Sequence, residues 1–203
     1  MTISFPVSVP SVGGYREPLR WTMLDAVGIG ESPYTFSQEV FEHAGKRWGV
    51  DIELVRMDRA EAEEWVAFLA SLRGRRGTFY FSDPIGATGR GAFGGSPLIR
   101  GAGQTGGTII VDGCTPTISN WIRKGDWIQI GTELHKSLTD EASDSSGEVT
   151  LELWPGPRTA PADNAPVTVS GAKGIFRLAR NERGYDIMLA QEFGISFSAV
   201  EAL

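Results

Sequence analysis

The chain has 203 residues, with 19 basic and 25 acidic side chains and a net charge of −6. That balance argues against nucleic acid as a partner, since such domains carry a basic excess to neutralise phosphates. One cysteine, Cys114, rules out an intrachain disulfide and a thiolate zinc site built from this chain alone. Cys114 itself reads as a small buried apolar residue.

Hydrophobic residues make up 41% of the chain, enough for a real core, and 26 glycines are spread through short apolar runs. Many tight turns follow, so a mainly β fold is expected. No run approaches the roughly 20 apolar residues of a membrane helix. Met1–Pro10 lacks the basic start and apolar run of a signal peptide. A soluble protein made in a reducing cytoplasm, with no membrane partner, is expected.

In chain order, Ile3–Val12 contains Pro6 and Pro10 and reads as an extended arm or edge strand. A short run, Leu19–Leu24, precedes an expected turn over Gly28–Pro33, and Tyr34–Glu42 follows. From Lys46 to Leu54 the pattern alternates. Trp48, Val50, Ile52 and Leu54 share one face, and Arg47, Asp51 and Glu53 the other, as in a half-buried strand.

A helix is predicted over about 59–73. Asp58 can cap it, with Glu61 as capping-box partner, and Trp65, Phe68, Leu69 and Leu72 form one apolar stripe. Gly74 is the expected stop. Gly77–Pro84 is an aromatic strand. Gly86–Gly107 reads as a linker or long loop. Strands are expected again at Thr108–Val111, Trp127–Ile130, Leu134–Leu138 and Val149–Trp154, with an acidic, serine-rich turn at Thr139–Gly147. Pro155–Pro166 holds four prolines and reads as a second linker, before Gly174–Leu178 and an alternating stretch over Gly184–Val200. The order suggests a β domain built from both termini (1–88 and 171–203) carrying an inserted small barrel (89–170).

Catalytic signals are weak. Gly101–Gly106 spells G-x-G-x-x-G but runs into a strand, whereas a dinucleotide site must open a helix. Asp140, Glu141, Asp144 and Glu148 do not match a calcium loop. His43 and His135 lie in no metal or triad pattern, and there is no nucleophile elbow or P-loop. No enzyme activity, metal or cofactor is expected. The densest basic spot is Arg73, Arg75 and Arg76, read either as a solvated helix end or as a contact between subunits. Six tryptophans are many for this length. They belong to the core, to an assembly interface or to an aromatic sugar platform.

Two stretches resemble known patterns. Trp48, Trp65, Phe68-Leu69, Leu72, Gly74, Phe79 and Asp83-Pro84 are similar to a strand–helix–strand pattern of siphophage tail proteins. Lys124–Gly131, then Leu134–Leu138, an acidic Ser-Gly turn and Thr150–Pro155, resemble the inserted barrel of phage tail proteins. Together they cover about half the chain and resemble the distal tail protein family of long-tailed bacteriophages. The resemblance implies a belt-like β-sandwich with one helix, carrying a small OB-like barrel. It also implies a hexameric ring in the virion tail tip or baseplate, assembled in the host cytoplasm. Such a ring joins the tail tube protein to the baseplate hub protein, with tail fibres or the tape measure protein as further neighbours. It implies no catalytic residues. Arg73, Arg75, Arg76, Trp48 and Phe79 are the residues assigned to the interface. The alternatives are a carbohydrate-binding module for host attachment, or another structural tail part such as a tube or hub protein.

Overall fold

A computed structural model describes residues 3–16, 18–188 and 192–202. It is mainly β with one α-helix, the expected fold class. The chain divides into two compact units, one of Met1–Phe79 with Phe176–Leu203 and one of Tyr80–Ile175.

In the first unit, β1 (Val7–Ser8), β2 (Arg20–Glu31), β3 (Gln38–Glu53), β4 (Phe79–Phe81), β11 (Gly174–Leu178) and β13 (Phe193–Glu201) form a sheet in the order β1-β4-β11-β13-β3-β2. β12 (Tyr185–Ile187) pairs with the start of β13. β13 is the hub. Its C-terminal half pairs antiparallel with β11 on one side and with Gly49–Glu53 of β3 on the other. The alternation read from 46–54 holds, with Trp48, Val50, Ile52 and Leu54 all buried.

The helix α1 (Arg59–Ser71) begins where Asp58 accepts the Glu61 amide at 3.0 Å. Its stripe of Trp65, Phe68, Leu69 and Leu72 is buried, each side chain stabilising the fold by roughly 1.5–3 kcal/mol. The aromatic rings meet edge to face. Trp65 touches Phe68 at 5.7 Å, Phe68 touches Phe79 at 5.5 Å, and Phe79 approaches Phe197 at 6.3 Å. The helix ends two residues before the predicted limit. Arg73, not Gly74 alone, takes the left-handed conformation at the C-terminus (φ 51° and 70°), and a 3-10 turn follows over Gly74–Arg76.

The second unit is a six-stranded sheet, in the order β10 (Val167–Thr168), β7 (Trp127–Ile130), β8 (Glu133–Ser137), β9 (Val149–Trp154), β6 (Thr108–Cys114) and β5 (Gly95–Ile99). The free edges of β5 and β10 meet. Leu98 bridges Pro166, and the Ile99 amide donates to the Ala165 carbonyl at 2.9 Å. The sheet is therefore nearly closed into a barrel, which removes most of its exposed edge. Ile99, Ile109, Val111, Ile128, Leu151 and Leu153 fill the inside, with Trp121 and Ile122 supplied by the segment before β7.

Two sequence expectations need correction. The region 86–107 is not all linker, since β5 lies within it and pairs with β6. Gly91 and Gly95, among the glycines that suggested a linker, instead allow close backbone approach. A Cβ on Gly95 would stand 2.2 Å from the Gly113 carbonyl oxygen. Second, the turn expected over Gly28–Pro33 begins only at Ser32. β2 runs straight through Gly28 and Gly30 to Glu31, and the chain reverses over Ser32–Ser37. The stretch expected over Gly184–Val200 is two strands, and its residues 189–191 lie outside the described residues.

Candidate assembly surface

β13 pairs with β3 only over Gly49–Glu53, whereas β2 and β3 stay paired with each other out to Glu31 and Gln38. The distal part of this hairpin is thus a two-stranded ribbon, here called the arm. An isolated two-stranded ribbon is marginal in water, and this one is also apolar. Val27, Ile29 and Val40 lie on one face and Phe41 on the other, and all four are exposed, Ile29 and Val40 by 63% and 61%.

The arm tip is tightly made. Ser32 donates its amide to the Ser37 carbonyl at 3.0 Å and accepts the Phe36 amide at 2.9 Å. The Thr35 and Ser37 hydroxyls are bonded at 2.9 Å, and Gln38 donates to Glu31 at 2.6 Å. The product of this network is a pair of presented aromatics, Tyr34 at 92% exposure and Phe36 at 74%. Phe36 sits at φ 56°, which directs it differently from a regular strand residue. Between Asp25 and Gly45 the arm carries four carboxylates (Asp25, Glu31, Glu39, Glu42) and no lysine or arginine. Lys46, at its base, forms an ion pair with Glu42.

Of the residues assigned to an interface from sequence, the structure moves two into the core. Trp48 is 1% exposed and Phe79 is 0% exposed, so neither has side-chain surface to offer a neighbour. Both satisfy the apolar periodicity of their strands, and that periodicity reports burial in the monomer first. Arg73, Arg75 and Arg76 are all exposed. The Arg75 amide donates to Asn181 Oδ1 at 3.1 Å, which ties this turn to the loop after β11 that carries Arg180 and Arg183. Arg180 and Arg183 line an open groove of about 590 Å³ together with Arg20, Leu178 and Phe197. Its carboxylates are partly engaged. Asp51 accepts the Ser198 hydroxyl, and Glu53 pairs with Arg16, each at 2.6 Å, while Glu182 also faces the groove. Among the described residues none of the six arginines 20, 73, 75, 76, 180 and 183 is in an ion pair.

The second unit gathers Asp83, Arg90, Asp126, Trp127 and Lys136, a charged cluster that invites a catalytic reading. Its carboxylates are occupied by structural donors. Asp126 accepts the amides of Arg90, Gly91 and Arg123 at 2.8, 2.9 and 3.0 Å. Asp83 accepts the Trp127 indole N–H at 3.0 Å and the Ile85 amide at 3.0 Å. Burial pulls the Asp83 carboxyl upward, but these donors outweigh it and hold the group below its ordinary range. Lys136 sits 4.4 Å over the Trp127 ring, and burial lowers its ammonium pKa. The arrangement ties the segments around Asp83 and Arg90 to the start of β7.

The remaining motif-like strings resolve similarly. Gly101, Gly103 and Gly106 make the loop between β5 and β6, clamped by the Gln104 side chain to Ile110 N (2.6 Å) and O (2.9 Å). Asp144 accepts the Ser146 and Glu148 amides at 2.8 Å, closing a tight turn. Among the described residues no cluster of potential metal ligands occurs. None of the six tryptophans is exposed. The arm is the feature that sequence reading missed, and its signal was charge segregation: a 21-residue stretch, Asp25–Gly45, with four acids and no lysine or arginine. Comparison with known proteins finds no family model that matches the chain and no curated relative.

Proposed function

We propose that this chain is a non-catalytic structural subunit that assembles head to tail into a closed ring, as distal tail proteins of long-tailed phages do. The observation that carries the reading is the arm. A ribbon with apolar side chains on both faces and two presented aromatics is costly as a monomer feature and natural as an interface. The arm and the body that carries it are different surfaces, so a contact between them is heterologous, and repeated contacts of that kind form a ring when the rotation between neighbours closes. In this role the ring is a hexamer in the virion tail, between the tail tube protein and the baseplate hub, with tape measure protein or fibres as further neighbours. A sugar-binding module is less well supported, because none of the six tryptophans is exposed.

The test is the mass of the full-length protein in solution, by native mass spectrometry or light scattering over a concentration series. A closed species near six copies supports the ring. A species that stays monomeric throughout, or an open series without a preferred size, overturns it, and the number of copies also separates a ring from a tube or hub component.

A further inference from the structure

We infer that the acidic arm of one copy docks its tip on the arginine face of the next, the surface made by Arg75, Arg180 and Arg183 beside the groove that Arg20, Arg180 and Arg183 line. The inference rests on the ring reading and names the two surfaces that would meet in it.

Charge decides the pairing. The first unit segregates its charges: four carboxylates and no strong base along Asp25–Gly45, against arginines 20, 73, 75, 76, 180 and 183, which have no carboxylate partner among the described residues. Three carboxylates share the groove with Arg20, Arg180 and Arg183, but Asp51 is engaged by Ser198 and Glu53 by Arg16, so a carboxylate brought from outside still finds unpaired guanidinium groups. Tyr34 and Phe36 stand free at the tip, and the open groove of about 590 Å³ that Arg180 and Arg183 line has room for an aromatic ring. Buried aromatic anchors ringed by charge pairs are the usual anatomy of a specific interface. The tip and face belong to one chain, so the contact repeats from copy to copy.

The experiment uses charge reversal in the full-length chain, read by native mass spectrometry. Arm variant Glu31→Arg/Glu39→Arg and face variant Arg180→Glu/Arg183→Glu each weaken self-association by at least roughly tenfold. Mixed in equal amounts they recover assembly, because the reversed arm meets the reversed face and the native arm meets the native face. Misfolding of either variant cannot produce that recovery. If wild type forms rings and either variant assembles equally well, the inference falls and the ring reading stands. If the variants fail alone and the mixture also fails, the pairing is overturned. If wild type itself never associates, both readings fall together.

Discussion

Phe41 lies in register across the arm from Gly28, and its Cβ stands 3.9 Å from where a Gly28 side chain would begin. The same ring approaches Gly30, with Cε2 at 3.8 Å from the equivalent point. Two glycines that look like turn residues are instead the floor beneath an aromatic ring, which covers the bare backbone of β2. The arm is thereby held as a ribbon, while its other face keeps Val27, Ile29 and Val40 in solvent.

Ile29 and Val40 are direct cross-strand partners on that open face. Replacing Ile29 with lysine and Val40 with aspartate sets opposite charges directly across the strands and should leave the isolated fold within about 1 kcal/mol of wild type. Assembly should be lost, because two charges would be desolvated in the contact. Thermal unfolding and light scattering on the same sample check this. A variant that melts with wild type yet still assembles removes the arm face from the interface.

What was legible in the sequence was whatever obeys a local period. The 46–54 alternation, the Asp58 cap and the Trp65–Leu72 stripe each follow from side-chain spacing, and each is found where spacing puts it. The arm was not legible for a physical reason. Its strands bury no face against their own chain, so no alternation marks them, and Gly28 and Gly30 supply a false turn signal. Trp48 and Phe79 show the converse. Their aromatic character fits an interface as well as a core, and only the pairing of β3 with β13 and the Phe68–Phe79 contact decide for the core. The arginine face depends on Asn181, more than a hundred residues from Arg75 (separation 106), so no local pattern could announce it.

Asp126 holds three backbone amides with one buried carboxylate. Asp126→Ala should cost the barrel about 2–5 kcal/mol, since it strands those donors away from water. Asp126→Asn should fall between, as its amide group keeps one acceptor oxygen and sets a donor where the other stood. Urea denaturation followed by tryptophan fluorescence measures both, and an alanine variant within 1 kcal/mol (~0.7 M urea for a slope of about 1.5 kcal/mol/M) would show that solvent replaces the carboxylate.

Cys114 is buried, and burial, with the Asp112 charge adding to it, pushes its thiol up to about 12. The thiolate is the reactive form. A thiol reagent at pH 8 should therefore leave the folded protein unmodified and label one site per chain in denaturant. Rapid labelling of the folded protein, followed by mass spectrometry, would mean that the β6 end of the barrel opens readily.

His135 is fully buried on β8, and its Nδ1 faces the Pro155 carbonyl oxygen at 2.6 Å, so Nδ1–H is the donor. Nε2 faces Glu133 at 3.9 Å, and Arg158 lies nearby. Burial is the main reason that its pKa falls from 6.5 to about 4, with the Arg158 charge acting in the same direction and the Pro155 bond opposing it. Because the folded form binds the proton later than the unfolded form, stability is unaffected by this group above about pH 6.5. Through the window from 6.5 down to 4 the unfolded chain takes the proton first, and on the order of 3 kcal/mol is lost. His135→Asn keeps an amide N–H for Pro155 but cannot titrate. Its urea midpoint should therefore vary less than that of wild type between pH 7 and pH 4.5, and the difference between the two curves isolates the histidine from the carboxylates that titrate below. Parallel curves for the two proteins would show that His135 is protonated in the folded barrel, with Glu133 close enough to hold the charge.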